Sequence, residues 1–233
     1  MTTEIYPVVH INNIHRAVEQ TGVALELGAN GVYLIDHEKP TTDRLFDAFN
    51  LSRSEYPGAY IGMNILCLRG AYRAFEAIHR AKDSESMDEY PDGLWVDDAR
   101  IDAVEARELR EAHPELGTVR YLGGVAFKYS PYYTDDPGRA AGEFMKLKSY
   151  VDVVTTSGPG TGVPPSPEKI RAMHEVAEGQ PLAVASGVSA DNLEDYSGAI
   201  DQLLVATSIE SSPDSGVFDR SRLEDLIEVA REL

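Results

Sequence analysis

The sequence predicts an α/β fold in which residues 1–233 form a single (β/α)8 barrel, the TIM-barrel architecture. Short apolar runs rich in Val, Leu and Ile alternate with helical patterns along the whole chain, eight of each. They recur at a spacing of roughly 30 residues, the length of one βα unit. The runs show little polar alternation, which is typical of parallel strands buried on both faces. Eight units favour a closed barrel over an open doubly wound sheet.

The same patterns place each element along the chain. The apolar runs predict strands at residues 5–11, 31–36, 59–66, 93–96, 119–127, 151–155, 182–185 and 203–206. Helical spacing predicts helices at residues 15–27, 42–49, 70–81, 101–112, 138–148, 167–177 and 220–233, and a short helical segment between the last two strands. Thr41 or Thr42 is the expected N-cap of the second helix, because a threonine hydroxyl can accept a hydrogen bond from the first turn.

Acidic residues dominate the charge of the chain. Asp and Glu outnumber Lys and Arg 39 to 21, which gives a formal net charge of −18. This balance argues against nucleic acid as a partner, because such binding depends on basic patches that neutralise phosphates. Six of the 21 basic residues are lysine. An acidic, lysine-poor surface indicates either adaptation to high salt, which screens carboxylate repulsion, or a surface kept acidic for solubility.

The sequence predicts a cytoplasmic protein without a membrane span. Its apolar runs are shorter than the roughly 18–20 residues that are needed to cross a bilayer. Residues 1–6 show neither the basic segment nor the apolar segment of a secretion signal. The single cysteine, Cys67, cannot form an internal disulfide, which fits a reducing compartment.

Two neighbouring turns near the end of the chain predict a phosphate site. The last two predicted strands end in Ser186-Gly187 and in Thr207-Ser208. A strand that stops at such residues leaves main-chain N–H groups exposed, and a helix that begins there adds its positive end. In (β/α)8 barrels the loops after strands seven and eight commonly form a phosphate-binding cup. We therefore expect a small phosphorylated ligand there.

The loop after strand six is the longest special loop, and we expect it to cover the phosphate. It reads TTSGPGTGVPPS from Thr155 to Ser166, and its glycines and prolines cannot continue a helix or strand. It is neither a Walker loop nor a dinucleotide fingerprint, because the required spacings are missing. Glycine lets main chain approach a ligand closely, and hydroxyl groups can donate to it. The residues expected to contact phosphate are Ser157, Gly158, Gly160, Thr161 and Gly162.

The last third of the chain resembles the BtpA family, which is named for a cyanobacterial photosystem I biogenesis factor. The matching segments are TSGPGTGVP at residues 156–164, ASGVSADN at 185–192, VATSI at 205–209 and the closing helix at 218–231. Near the front, Ile11-Asn-Asn-Ile-His replaces the family's proline-rich stretch. The resemblance implies a barrel with a phosphate end. It leaves the chemistry open, because the family combines a biogenesis factor with enzymes of uncertain assignment.

The closing half also resembles pentose-phosphate epimerases and the tryptophan synthase α-subunit. The epimerases have an acidic residue entering the glycine turn after strand seven, where this chain has Ala185-Ser186. Without that acid, the two-carboxylate proton exchange is not transferred to this chain. The resemblance therefore implies only the phosphate seat at Ser186, Gly187, Thr207 and Ser208.

Polar side chains also end the other predicted strands, on the face where barrel active sites are built. The expected catalytic residues are His10, Asp36, Asp97 and Lys128. The expected substrate contacts are Asn12, His37, Asn64 and Asp98. Each of these residues taken alone could equally belong to a polar network of the barrel rim.

Lys128 has two alternative roles. A lysine in an apolar mouth has a depressed pKa and can act as a base or form a Schiff base. It can also stay charged and hold a phosphate or carboxylate, which is the role we favour. The aspartates are then the general acid–base candidates. No cofactor is expected to be required, although His10, Asp36, His37 and the Asp97–Asp98 pair include the ligand types of a divalent metal site.

Other aromatic and imidazole side chains point less clearly to function. Trp95 is expected to pack inside the protein or against a helix. Tyr129, Tyr132 and Tyr133 would form a lid, an aromatic wall or an ordinary surface loop. The remaining histidines fall in helical patterns or at their ends and are expected on the outer face: His15, His79, His113 and His174.

Together these features predict an enzyme that acts on a small phosphorylated metabolite, a sugar phosphate or a nucleotide-derived compound, as a lyase, isomerase or transferase. The alternative is a non-catalytic, BtpA-like barrel that binds a ligand or stabilises a partner assembly. Homo-oligomers are common among such barrels, and that analogy leaves a homo-oligomer open here, because the sequence itself does not reveal the oligomeric state.

Overall fold

The computed structural model describes residues 2–37, 41–212 and 215–233, and it confirms the (β/α)8 barrel. All neighbouring strands are parallel, and the sheet closes in the order β1 to β8. Closure joins β1 to β8 with Ile5 opposite Leu203. The strands are β1 Glu4–His10, β2 Val32–Ile35, β3 Ile61–Asn64, β4 Gly93–Val96, β5 Arg120–Gly124, β6 Val153–Thr156, β7 Leu182–Ala185 and β8 Gln202–Val205.

Seven α-helices surround the sheet among the residues described. They are α1 Ile14–Glu26, α2 Asp43–Glu55, α3 Ala71–Asp83, α4 Ala103–Ala112, α5 Pro137–Leu147, α6 Pro167–Glu175 and α7 Arg220–Glu232. Thr42 occupies the N-cap of α2, but its side chain makes no capping hydrogen bond, so the predicted cap is wrong in that detail. No helix in the described part of the chain combines the length and apolar character that crossing a membrane requires.

The connection between β7 and β8 differs from the expected eighth helical unit. It contains a single 3-10 turn, Leu193–Tyr196, whose Leu193 and Tyr196 side chains are buried. The segment between the two strands reads SGVSADNLEDYSGAID, and its glycines and short polar residues favour turns over a continuous helix. Consequently neither turn of the predicted phosphate seat opens a helix, because α7 begins only at Arg220. The expected contribution of helix dipoles there is wrong.

The apolar side chains form two separate layers. The larger layer lies between the sheet and the helices, and a smaller one fills the barrel interior. The amino-terminal end of the interior is filled by Tyr6, Tyr33 and Tyr60, whose rings lie 5.0–5.9 Å apart between centroids. Glycines make room for them: a Cβ at Gly62 would lie 2.3 Å from the Tyr33 ring, and one at Gly93 equally close to the Tyr60 hydroxyl. The barrel is therefore filled at that end and accessible from the other.

Candidate functional site

The main cavity lies at the carboxyl ends of the strands and measures about 690 Å³. This size and position are typical of the ligand site in a (β/α)8 barrel. Ten of the residues predicted for the site or its phosphate cup line it: His10, Asn12, His37, Asp97, Lys128, Thr161, Ser186, Gly187, Thr207 and Ser208. The structure therefore brings these predicted residues together around one cavity, and their roles stay predictions.

The two predicted phosphate-binding turns lie side by side in this cavity. The Ser208 hydroxyl donates to the main-chain oxygen of Val188 at 2.7 Å and so ties the loop after β8 to the loop after β7. Among the residues that the structure describes, none accepts a hydrogen bond from the main-chain N–H groups of Gly187, Thr207 and Ser208. Unpaired N–H groups at a cavity wall form a seat for an anion.

The first of these turns has an unusual backbone. Ser186 has φ +88° and Gly187 has φ +76°, so two successive residues are left-handed. For a non-glycine residue this conformation is strained, and such strain is concentrated at functional sites. Only glycine fits at position 187, because an added Cβ would lie 2.1 Å from the nitrogen of Pro164 and 2.3 Å from the carbonyl carbon of Val163.

The loop after β6 packs on this turn, but few of its predicted residues reach the cavity. Thr161 lines it, whereas Gly158 is buried beneath Val163 and Pro164. Ser157 is also fully buried, and its hydroxyl accepts a hydrogen bond from the main-chain nitrogen of Lys128 at 2.8 Å. Gly160 and Gly162 do not line the cavity either, so their contact with a ligand stays a prediction.

The ammonium group of Lys128 lies at the phosphate end of the cavity. Its Nζ donates to the Ser186 hydroxyl at 2.6 Å and to the Thr161 hydroxyl at 3.3 Å. Burial lowers the pKa of Lys128, and the nearby Asp97 carboxylate partly offsets that effect. A cation held by two hydroxyl groups beside unpaired N–H groups fits a charge contact to an anion. Of the two roles predicted for Lys128, this position favours the charge contact, which stays a prediction.

Asp97 faces the cavity from the end of β4. The side-chain amide of Asn64 donates to its Oδ1 at 2.9 Å. Burial raises the pKa of Asp97, while the Asn64 hydrogen bond and the Lys128 charge act in the opposite direction. A partly desolvated carboxyl group of this kind is suited to proton transfer. Its neighbour Asp98 instead accepts from the Ser130 hydroxyl at 2.8 Å and anchors the loop after β5.

A second cavity of about 280 Å³ adjoins the first beneath the loop after β5. The two cavities share Leu66, Trp95, Asp97, Lys128 and Tyr129 in their walls. Trp95 therefore packs inside the barrel, as one of the two predicted alternatives had it, and it also forms the floor between the cavities. Its indole Nε1 is buried, and no described residue accepts a hydrogen bond from it.

Of the three tyrosines after β5, only Tyr129 reaches the two cavities. Its side chain is 77% exposed, and its hydroxyl lies 3.1 Å from the Thr161 hydroxyl. Tyr132 packs against the guanidinium of Arg100, and the Tyr133 ring lies under Nζ of Lys169. Tyr129 thus bridges the loops after β5 and β6 over the phosphate end, as a lid would.

His10 has a partner that the sequence did not suggest. Its Nδ1 lies 3.0 Å from Oε1 of Glu210, whose side chain is 1% exposed. Glu210 follows β8 and forms an isolated bridge with Phe218, and its main-chain oxygen accepts from Arg222. The His10 ring also packs edge-on against His37 at 5.0 Å between centroids. The one available signal was a single acidic residue five positions after the end of β8.

Asp36 does not line the main cavity, although its neighbours Ile35 and His37 do. It is buried and forms a two-point ion pair with Arg44 of α2, in which Nε donates to Oδ2 at 2.7 Å. Such a pairing fixes the carboxylate as a structural anchor, and its catalytic role stays a prediction. A metal site would have drawn on Asp36 together with His10, His37 and the Asp97–Asp98 pair. Four of these side chains, His10, Asp36, Asp97 and Asp98, have the polar partners described above, and metal binding there stays a prediction.

Comparison with solved structures gives the same architecture in several enzymes. Thiamine phosphate pyrophosphorylase from Pyrococcus furiosus is 15% identical, with a TM-score of 0.64 over 98% of this chain and 96% of that one. (S)-3-O-geranylgeranylglyceryl phosphate synthase from Thermoplasma acidophilum is 11% identical, with a TM-score of 0.68 over 100% and 94%. Phosphoribosyl anthranilate isomerase from Thermus thermophilus is 15% identical, with a TM-score of 0.61 over 99% of both chains. At sequence identities of 11–15%, these structural similarities establish the fold alone.

No family model matches the sequence, and the comparison with curated proteins gives no match. The resemblance of the last third to the BtpA family therefore stays a prediction.

Proposed function

We propose that this protein is an enzyme that acts on a small phosphorylated metabolite. The observation that carries the proposal concerns the main-chain N–H groups of Gly187, Thr207 and Ser208, for which the described part of the chain supplies no acceptor. These three residues line one end of the cavity. The Lys128 ammonium lies beside the first turn and supplies the positive charge that a helix end does not supply here. A phosphate dianion would accept hydrogen bonds from the N–H groups and pair with the lysine.

The chemistry would take place away from the phosphate, between Asp97 and His10. Both side chains line the same cavity, one at the end of β4 and the other at the end of β1. The raised pKa of Asp97 suits a general acid, and His10, oriented by the buried Glu210, suits a general base. A pair of this kind supports proton transfer in a lyase, isomerase or transferase reaction. Trp95 and Leu66 would hold the apolar body of the substrate.

The names of the structural neighbours agree with this class of ligand. The synthase from Thermoplasma acidophilum is in complex with sn-glycerol-1-phosphate, and one phosphoribosyl anthranilate isomerase is in complex with a reduced deoxyribulose 5-phosphate compound. Thiamine phosphate pyrophosphorylase also carries a phosphate compound in its name. BtpA-like character, suggested by the residues of the last third, is compatible with the same seat.

Anion binding can be tested without knowledge of the substrate. Inorganic phosphate and a panel of sugar phosphates are added in a thermal-unfolding assay, with potassium chloride of equal ionic strength as the reference. A ligand at 100 times its dissociation constant adds about 2.7 kcal/mol, which raises the midpoint by about 5–10 °C for a chain of this size. The shift should shrink in Lys128→Met and persist in Lys146→Met, which alters an exposed lysine on α5. Equal shifts in both variants would contradict the proposed seat.

Catalysis needs a separate test. Compounds that raise the unfolding midpoint are incubated with the protein, and conversion is followed by mass spectrometry. Asp97→Asn should retain ligand binding and lose turnover, because the amide cannot transfer the proton. Binding without conversion of any compound would instead favour the non-catalytic, BtpA-like alternative.

A further inference from the structure

A group of metal-ligand side chains lies at the opposite end of the barrel from the mouth. His79 belongs to the last turns of α3, and His113 and Glu115 directly follow α4. The carboxyl ends of these helices lead into the starts of β4 and β5, so the group lies at the amino-terminal face of the barrel. In (β/α)8 barrels that face contributes stability, whereas catalysis occurs at the other.

The three side chains converge on one point. Oε1 of Glu115 lies 3.5 Å from Nδ1 of His113 and 3.9 Å from Nδ1 of His79. One ligand atom from each residue lies within 4.8 Å of the other two. The two imidazole rings are in contact, with centroids 4.1 Å apart. Among the residues described, no other three His, Cys, Asp or Glu side chains bring their ligand atoms this close together.

We propose that His79, His113 and Glu115 form a zinc site that links α3 to the segment after α4. Zinc is bound by imidazole nitrogen and carboxylate oxygen at about 2.0–2.2 Å, so tetrahedral ligand atoms lie about 3.3 Å apart. The observed separations reach that value through small side-chain rotations. Three protein ligands leave one position for water. Two nitrogens and one oxygen suit zinc better than magnesium or calcium, which prefer oxygen alone.

A second carboxylate completes the arrangement. Oδ2 of Asp83 lies 3.7 Å from Nε2 of His79, the ring nitrogen that faces away from Glu115. A metal-binding imidazole commonly donates its other N–H to a carboxylate, which fixes the ring and strengthens the ligand. Asp83 is four residues after His79 on the same helix, so it reaches that position without any change in the backbone.

Tyr90 competes for the same nitrogen. Its hydroxyl lies 2.8 Å from Nδ1 of His79 and must turn away before zinc can bind there. Replacing Tyr90 with Phe removes this hydrogen bond and leaves all three ligands in place. Tyr90→Phe should therefore bind zinc at least as tightly as the natural chain, which separates metal coordination from a simple hydrogen-bond network.

The test uses the 233-residue protein, freed of metal with a chelator and titrated with zinc chloride in a calorimeter. Excess magnesium is present throughout to occupy the acidic surface. One zinc ion per chain is expected, with affinity at least tenfold lower in His113→Gln and in Glu115→Gln. The control is His174→Gln, which alters a histidine in the last turn of α6 and should bind normally.

A thermal-unfolding measurement provides a second readout. Zinc at 100 times its dissociation constant should raise the unfolding midpoint by about 5–10 °C, and at the same zinc concentration the shift should fall to about half or less in His113→Gln. Asp83→Asn should weaken binding by about tenfold or more through the ring that it orients. No binding, or equal binding by His113→Gln and the natural protein, would overturn the proposal, since zinc would then bind elsewhere or not at all.

Discussion

Oε1 of Glu210 lies 3.0 Å from Nδ1 of His10, and this contact joins the first strand of the barrel to the loop after the last. The glutamate side chain is almost fully buried, and a carboxylate in such a place needs a polar partner. Its oxygens make no well-aligned hydrogen bond among the described residues, so the contact with the ring is a close approach and not a formed hydrogen bond. Catalytic hydrogen bonds often tighten only when substrate is present.

His10→Asn should reduce turnover by about 100-fold to 10,000-fold while leaving the fold intact, because the general base is lost. Glu210→Gln should cause a smaller loss, since the ring stays in place without its charged partner. Nitrogen NMR of the imidazole offers a measurement that needs no substrate: the Nδ1–H tautomer should dominate in the natural protein and lose population in Glu210→Gln. Full turnover by His10→Asn would exclude His10 from the reaction.

Asp97→Asn should make the protein more stable at neutral pH. Burial raises the pKa of Asp97 in the folded state. At pH values between the ordinary pKa and this raised pKa, the folded chain therefore binds more protons than the unfolded chain. Stability is therefore lost as pH rises through that interval, and the amide variant avoids the loss. Urea unfolding at pH 7 should show the variant to be more stable, with a smaller difference near pH 4. Asn64 can still donate to the new amide oxygen.

Ser186→Gly should stabilise the protein by about 1 kcal/mol, because glycine adopts φ +88° without strain. The same change should weaken phosphate binding several-fold, since the hydroxyl that positions Lys128 is lost. Ser186→Ala is the matched variant, because it removes the hydroxyl but keeps the strained backbone. Chemical denaturation of both variants measures the effect of backbone strain, and phosphate titration measures the effect of losing the hydroxyl. Destabilisation by Ser186→Gly would contradict the assignment of strain to this residue.

Gly187→Ala should destabilise the protein by at least about 2 kcal/mol and abolish phosphate binding. The added methyl group would collide with the main chain of Val163 and Pro164, and the backbone is left-handed at this position. Gly160→Ala in the neighbouring loop is the control, because an added Cβ there meets no atom within 4 Å. It should change stability by less than about 0.5 kcal/mol. Both variants are measured by urea unfolding.

Lys169 should make stability depend on alkaline pH. Its buried Nζ donates to the main-chain oxygens of Ala126 and Ser157 at 2.9 and 2.7 Å, and burial lowers its pKa to about 8. Between that value and its ordinary pKa, the folded chain binds fewer protons than the unfolded chain, so stability rises with pH. Lys169→Met should lack this rise, and it removes one hydrogen-bond donor from each of these two buried oxygens. The free energies of unfolding of both proteins at pH 7.5 and pH 9.5 provide the comparison.

The barrel was predictable because its evidence is periodic. Each strand is a buried apolar run, and the pattern repeats along the chain, so small errors in individual boundaries do not change the architecture. The prediction of a helical segment before β8 was wrong for a local reason. Turn-forming residues outweigh the few apolar ones there, and the chain forms a 3-10 turn at Leu193–Tyr196. The first strand is also displaced by one residue from its prediction, which ended at Ile11 instead of His10.

The site was predictable where it depends on strand ends and less so where it depends on long-range pairing. His10 ends β1, Asp97 directly follows β4, and Lys128 lies four residues after β5. Parallel strands bring those ends together. Glu210 could not be assigned to His10 from the sequence, because 200 positions separate them and only barrel closure brings them into contact. Asp36 also follows a strand, but its carboxylate pairs with Arg44 instead of lining the cavity. That pairing depends on side-chain direction, which the order of residues does not reveal.

The tyrosine-filled end of the barrel has a kinetic consequence. With Tyr6, Tyr33 and Tyr60 closing one side, whatever enters the cavity must leave through the opening by which it arrived. A product that still carries the phosphate would occupy the seat that the next substrate needs, so the two would exclude each other. Inhibition by such a product should therefore be competitive, and its departure would set the pace of repeated turnover whenever the bond-making step is fast.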